Sequence, residues 1–121
     1  MLALVVDDEP DIVTLLEIAL AEDFRVISAG SGREALEIAR REHPDFVLLD
    51  RRLPDGDGLV LLADLRKDIA TANIPIILIT ALTPSMPTEL PIGVLGTIEK
   101  PFDPFGLPAR IRAILQGRSA S

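Results

Sequence analysis

The sequence predicts an α/β fold with a doubly wound, five-stranded parallel sheet, and three observations support that prediction. Four short runs are nearly continuous in apolar residues, a pattern typical of strands buried on both faces. Amphipathic helical spacing separates these runs. Strand and helix alternate along 121 residues, which favours parallel strands with helices on both faces of a single sheet.

The four buried strands are predicted at residues 2–6, 46–49, 74–79 and 94–98. A fifth run, residues 24–28, contains Arg25 and therefore fits an edge strand better. Crossover connections between parallel strands are right-handed. A central first strand and an edge second strand then give the flavodoxin-like order 2-1-3-4-5.

Four helices are predicted from the spacing of their apolar residues. Ser31 and Glu34 form a capping-box signature at the start of the second helix, and Asp57 with Gly58 opens the third. The apolar residues of the four are Ile12, Leu15, Leu16, Ala19 and Leu20; Ala35, Leu36 and Ala39; Leu59, Leu62 and Leu65; and Leu107, Ile111, Ile114 and Leu115.

The segment between the fourth and fifth strands departs from this regularity, because it contains Pro84, Pro87 and Pro91. Each proline removes a backbone donor and clashes with the preceding turn of a helix. A helix between these two strands would be the fourth of five in chain order, and we therefore expect it to be short or irregular.

Composition excludes several classes of function. The net charge of −7 argues against nucleic-acid binding, which needs clustered Lys and Arg. The chain has no Cys and a single His, so disulfides, thiol nucleophiles and His-rich metal sites are excluded. No apolar run reaches the ~20 residues that span a bilayer. We expect a cytoplasmic protein with one domain over residues 1–116 and a flexible tail over residues 117–121.

Charged and polar residues, together with one alanine, follow or end the predicted strands. Because ligands bind outside the carboxyl ends of the strands in an open parallel sheet, these residues should meet at one edge. They are Asp7 and Asp8 after the first strand, Asp50 after the third, Thr80 and Ala81 after the fourth, and Lys100 after the fifth.

This set has the chemistry of a phosphoryl-transfer site. Three carboxylates would repel one another, and a hard divalent cation such as Mg²⁺ relieves that repulsion while sharing itself with a phosphate. Lys100 can meet a phosphate oxygen, and the Thr80 hydroxyl and the Ala81 backbone N–H can donate to the same group. Asp50 is then the nucleophile, which forms an acyl phosphate.

Four motifs together resemble the receiver domain of two-component response regulators. They are Val6-Asp7-Asp8-Glu9-Pro10, Leu48-Leu49-Asp50-x-x-Leu53-Pro54-x-Gly56-x-Gly58, Ile79-Thr80-Ala81 and Lys100-Pro101-Phe102. The match covers essentially the whole chain, with the motifs in order.

The resemblance implies that Asp50 is phosphorylated from a phosphohistidine on a sensor histidine kinase or a histidine phosphotransfer protein. It also implies Mg²⁺ held by Asp8, Asp50 and the carbonyl of Arg52, with Asp7 acting through water. Thr80 and Lys100 would contact the phosphoryl group, and the Lys100–Pro101 bond would be cis.

Two features depart from the family's pattern. Receivers commonly carry Tyr or Phe three residues before the lysine, where this chain has Thr97. The proline-rich segment is the second departure. Both lie where receivers normally pass the signal on, so we expect intact phosphorylation chemistry and an altered readout.

The leading hypothesis is a stand-alone receiver that switches partner binding, with a possible homodimer through the last strand and helix. An alternative is a degenerate receiver that acts as a phosphorylation-independent interaction module. A phosphohydrolase would need a second Asp two residues after the nucleophile, where Arg52 stands. Arg51 and Arg52 fit solvated loop charges, and a sharper hypothesis is that Arg52 screens the acyl phosphate from attacking water. A flavin site is disfavoured, because acidic residues follow the first strand.

Overall fold

The computed structural model describes residues 1–53, 56–81, 93–100 and 102–117. Within these ranges a five-stranded parallel sheet has the order β2-β1-β3-β4-β5, which confirms the predicted topology. Its strands are β1 (Leu2–Val6), β2 (Arg25–Ala29), β3 (Phe46–Asp50), β4 (Ile76–Ala81) and β5 (Val94–Lys100). The predictions for the proline-rich segment 82–92, the bond to Pro101 and nearly all of the tail lie outside the described residues.

The described helices are α1 (Pro10–Leu20), α2 (Gly32–Glu42), α3 (Gly58–Lys67) and α4 (Leu107–Leu115). Pro10 begins α1 at a position where its missing N–H and fixed φ cost nothing. Within the described ranges, every helix is too short or too polar to cross a membrane.

The start of α2 follows the predicted cap with one difference. The Ser31 hydroxyl accepts a hydrogen bond from the Glu34 N–H at 3.2 Å. The Glu34 carboxylate accepts from the Gly30 N–H at 3.4 Å and so reaches one residue further back than a capping box requires. The helix ends at Glu42 and is capped by His43, whose φ of 48° is left-handed and whose N–H donates to the Ala39 carbonyl.

Two apolar cores lie on opposite faces of the sheet. We call them the α2/α3 core and the α1/α4 core, after the helices that cover them. Alternate residues of β1, β3 and β4 divide between the two cores, as the two-residue repeat of a strand requires. The α2/α3 core contains Leu4, Val6, Val47, Leu49, Ile76 and Leu78, and the α1/α4 core contains Ala3, Val5, Phe46, Leu48, Ile77 and Ile79.

Burial on both faces was correctly predicted for β1 and β3 but is wrong for β5. Only Val94 and Ile98 of β5 are buried, and the Leu95 side chain is 46% exposed. The reason is that β5 is the last strand in the order of the described sheet, so its outer edge has no neighbouring strand there. The strands also differ in extent. β4 begins at Ile76, and β3 and β5 continue through Asp50 and Lys100.

A close backbone contact fixes how α3 leaves the end of β3. A short antiparallel pair, Arg52–Leu53 with Gly56–Asp57, precedes the helix. The N–H of Gly58 donates to the Arg51 carbonyl. A Cβ atom at Gly58 would lie 2.6 Å from the Asp50 carbonyl oxygen and 3.1 Å from the Arg51 Cα. Only glycine therefore allows the helix to start this close to Asp50.

We expect Gly58→Ala to lower the free energy of unfolding by about 2 kcal/mol, since the added methyl group meets backbone atoms that cannot rotate away. Urea unfolding followed by circular dichroism measures the change. The matched control is Gly30→Ala, because a Cβ there meets nothing within 4 Å. Equal unfolding midpoints for the two variants would contradict the close contact.

Candidate functional site

The carboxyl ends of four strands bring the predicted site residues to one edge of the sheet. Asp7 follows β1 directly, Asp50 ends β3, and Lys100 ends β5. In the register, Asp50 pairs with Ile79, and Ala81 pairs with Lys100. Residues up to 93 positions apart in the sequence thus converge through strand pairing alone.

Asp50 is buried, with 5% of the residue exposed, and each of its carboxylate oxygens has a partner. Oδ2 lies 3.2 Å from the Lys100 Nζ, in a charge-assisted hydrogen bond. Oδ1 accepts a hydrogen bond from the Arg52 N–H at 3.1 Å. The Arg51 N–H donates to the Ile79 carbonyl, which continues the pairing of β3 with β4 past the carboxylate. The side chain is therefore held in one orientation at the rim.

Asp7 is buried more completely, with 2% exposed. Its Oδ1 accepts from the Glu9 N–H at 2.9 Å, and its own N–H donates to the Ala29 carbonyl at 3.1 Å. Its Oδ2 accepts no hydrogen bond from the described residues and lies 3.7 Å from the Lys100 Nζ. Burial, followed by repulsion from Asp50, raises the pKa of Asp7 despite the Glu9 hydrogen bond.

Lys100 is the positive charge of the site. Burial alone would lower the pKa of Lys100, but its ion pair and hydrogen bond with Asp50 outweigh that effect. Asp7 adds to the same attraction, so the pKa of the ammonium group is raised. The group is protonated at neutral pH and lies between two buried carboxylates.

A divalent cation fits the cluster of three carboxylates. Asp7, Asp8 and Asp50 each offer an oxygen within 4.8 Å of the others, with Asp8 exposed and the other two buried. Carboxylate oxygens are hard ligands of the kind that Mg²⁺ prefers. The Asp7 Oδ2 is a buried oxygen that lacks a hydrogen bond among the described residues, as a metal ligand would. The donor set therefore suits Mg²⁺.

The remaining predicted residues lie nearby in the register. Thr80, with 6% exposed, is next to Ile79, the partner of Asp50. Ala81 lies opposite Lys100. Arg52 is exposed, and the contact seen is through its N–H, whereas the resemblance assigns its carbonyl to the metal. The assignments of Thr80, Ala81 and the Arg52 carbonyl stay predictions.

Sequence reasoning missed two residues that support the site through their backbone. Ala29 holds Asp7 through its carbonyl, and an alanine at the end of an edge strand carries no signal of such a contact. Gly58 lies against the Asp50 carbonyl. Its place eight residues after Asp50, at the start of a helix, indicated a turn but not a contact with the site.

The chain is similar to known proteins along almost all of its length. A family model described as "Response regulator receiver domain" matches residues 3–112. The "Probable transcriptional regulator ycf27" of Porphyridium aerugineum is 44% identical over 116 residues, which cover 93% of this chain and 47% of that protein. The chain thus spans about half the length of the curated relatives it matches.

Solved structures show the same fold. A sensor protein from Polaromonas sp. JS666 superposes with a TM-score of 0.84 at 31% identity, covering 96% of this chain and 97% of that one. The N-terminal domain of the nisin resistance regulator NsrR gives a TM-score of 0.80 at 33% identity, covering 94% and 97%. With a family model matched over residues 3–112, the chain belongs to the response regulator receiver domain family.

Proposed function

We propose that Asp50 accepts a phosphoryl group from a phosphohistidine on a partner protein, in a transfer that requires Mg²⁺, and that this event switches the binding of a second protein. The observation that carries the proposal is the Asp50 carboxylate. It is buried at the sheet edge, 3.2 Å from a lysine ammonium group and within 4.8 Å of two further carboxylates.

In the transfer, an Asp50 oxygen forms a bond to phosphorus while the bond from phosphorus to the donor's imidazole nitrogen breaks. The imidazole keeps the electron pair of that bond and takes up a proton. The Arg52 N–H holds the Asp50 Oδ1 and so orients the carboxylate for attack. Lys100 can move its charge from Asp50 to a phosphoryl oxygen, and the Thr80 hydroxyl and the Ala81 N–H can donate to the same group.

Asp8, Asp50 and the Arg52 carbonyl would hold the metal ion, with Asp7 contacting it through water. When bound, Mg²⁺ supplies positive charge that offsets the carboxylates and the incoming phosphoryl group. Asp7 would contribute its Oδ2 atom, which accepts no hydrogen bond from the described residues. Lys100 offsets part of the charge of the two buried carboxylates, Asp7 and Asp50.

Membership of the family supports the choice of phosphoryl donor. A sensor histidine kinase or a histidine phosphotransfer protein would supply the phosphohistidine, and we propose that residues 1–116 act as one receiver unit in the cytoplasm. The relative named above is called a transcriptional regulator and is about twice as long. The predicted homodimer through β5 and α4 is part of the proposal, since Leu95 on that edge is 46% exposed.

We expect wild-type protein mixed with acetyl phosphate and Mg²⁺ to gain the mass of one phosphoryl group, and Asp50→Ala to gain none. The physical reason is that no other carboxylate combines this burial with a lysine at hydrogen-bond distance among the described residues. Intact-protein mass spectrometry measures the gain, and EDTA should abolish it. Asp64→Ala, at an exposed position on α3, is the matched control.

Absence of the added mass in the wild type, together with failure of a beryllofluoride mimic to bind, would favour the alternative function. The chain would then be a phosphorylation-independent interaction module. Phosphorylation of Asp50→Ala at the wild-type rate would instead show that another residue is the acceptor.

We expect Asp7→Asn to raise the midpoint of thermal unfolding by about 3–5 °C in EDTA. Burial raises the pKa of Asp7, which means that the folded state disfavours the ionised carboxylate relative to the unfolded chain. That cost decreases as the pH falls below the raised pKa and is gone below the ordinary pKa of an aspartate. Asn keeps an acceptor for the Glu9 N–H and removes the charge.

Mg²⁺ should reverse the order of the two proteins, because only the wild type presents the Asp7 carboxylate to the ion. Differential scanning calorimetry with and without Mg²⁺ makes the comparison, and Asp64→Asn should leave both midpoints unchanged. A lower midpoint for Asp7→Asn in EDTA would show that the buried charge does not destabilise the metal-free fold.

We expect Arg52→Ala to lose its phosphoryl group about threefold faster than the wild type, a change of under about 1 kcal/mol in the barrier. The substitution keeps the N–H that binds Asp50 and removes an exposed guanidinium two residues from the acceptor. The time course of dephosphorylation after donor removal measures the rate. Arg52→Lys, which keeps the charge, should stay close to wild type, and an unchanged rate in Arg52→Ala would remove the hypothesis.

A further inference from the structure

The pairing of β5 with β4 contains one irregularity, far from the site along the strand. Ile76 pairs with Val94, but the next residue, Ile77, pairs with Gly96. The register passes over Leu95, so the seven residues of β5 lie along the six residues of β4. This is a one-residue β-bulge, in which two residues of one strand face one of the other.

The two cores provide an independent sign of the bulge. Val94 belongs to the α2/α3 core, whereas Ile98 belongs to the α1/α4 core. In a regular strand, residues four positions apart point to the same face. The change of face between Val94 and Ile98 therefore requires one surplus residue between them, and Leu95 with its 46% exposure is that residue.

Because β5 contains one surplus residue, the bulge decides which of its side chains reaches the site. Side chains alternate between the two faces of the sheet along β1 and β3. Asp7 follows Val5 by two residues and Asp50 follows Leu48 by two, so both aspartates are on the face of the α1/α4 core. Lys100 continues the same face from Ile98 and pairs with Ala81.

Without the bulge, every pair after Ile76–Val94 would be shifted by one residue along β5. Glu99 would then stand opposite Ala81 and take the face of the two buried aspartates. A one-residue slip turns every later side chain to the other face of the sheet. The site would hold a further carboxylate in place of its ammonium group.

The start of β5 is fixed by Arg66 of α3. Its Nη2 donates to the carbonyls of Ile74 and Gly93 at 3.0 and 3.1 Å, and its Nη1 donates to the Ala72 carbonyl. Gly93 has a φ of +91°, and a Cβ there would collide with the Arg66 guanidinium group. The Arg66 side chain therefore links the segment that precedes β4 to the residue that precedes β5.

The end of β5 is fixed separately. The Arg110 guanidinium of α4 donates to the Thr97 carbonyl at 3.0 Å. A Cβ at Gly96 would lie 3.0 Å from the Ile114 side chain, so α4 packs directly on the strand. Ile98 is fully buried, and Lys100 binds Asp50.

We propose that the bulge at Leu95 absorbs the one surplus residue of β5 and so keeps Lys100 in register with the site. The strand holds one residue more than the distance between its two fixed ends requires, and looping out Leu95 places Lys100, rather than Glu99, beside Asp7 and Asp50. The surplus corresponds to about 3.3 Å of strand. The role of Lys100 in phosphoryl transfer rests on the proposed function, whereas the register of β5 does not depend on it.

The test shortens the strand by one residue and then by two. Deletion of Leu95 should keep both the Ile76–Val94 and the Ala81–Lys100 pairs, seen as interstrand backbone NOEs in the labelled full chain. Phosphorylation by acetyl phosphate should stay within about threefold of wild type. Lys100→Ala should lower the rate by about a hundredfold in both the wild-type and the deleted chain.

Deletion of Leu95 together with Gly96 is the matched contrast. Four steps of chain then have to span five steps of β4, so one of the two pairs must be lost. Circular dichroism establishes that each variant is folded, and the wild-type NOEs test the register without any variant.

Loss of either pair after deletion of Leu95 alone would overturn the proposal, as would a Glu99–Ala81 contact in the wild type. Retained pairs in a protein that acetyl phosphate never modifies would leave the register inference intact and remove the proposed function instead.

Discussion

Two buried carboxylates share one ammonium group, and much of this structure serves to keep those three groups together. Asp7 and Asp50 are 2% and 5% exposed, and the Lys100 Nζ lies 3.7 and 3.2 Å from their Oδ2 atoms. An uncompensated buried charge costs several kcal/mol. The fold therefore depends on placing the end of β5 correctly relative to the ends of β1 and β3, which are separated from it in the sequence by helices and intervening strands.

Much of this architecture could be predicted from local pattern, because apolar runs, helical stripes and strand-end motifs each occupy a few neighbouring residues. The strand order, the edge position of β2 and the convergence of Asp7, Asp50 and Lys100 all follow from such patterns. The burial of β5 was wrongly predicted, since an apolar run does not tell whether a strand has one neighbour or two. The Leu95 bulge and the Gly58 contact were not predicted, because each depends on atoms of another element.

The geometry also changes the view of Thr97, which occupies the place of the usual aromatic residue. Thr97 is half-buried, and its carbonyl accepts a hydrogen bond from Arg110. The strand that carries Lys100 is thus connected to α4 through main-chain atoms, a contact that does not depend on the identity of the side chain at this position. The resemblance to the family identified the missing aromatic ring, whereas the coordinates identify a contact between β5 and the last helix.

The irregular pairing of β5 also affects how this chain should be aligned with its relatives. A relative with one residue fewer between Gly93 and Gly96 could have a regular strand and still present its lysine to the same pair of aspartates. A gap at that point in an alignment would then record a difference in backbone geometry and no difference in the reacting groups. Equivalent lysines are therefore better identified by the residue they face on β4, here Ala81, than by counting from the start of the strand.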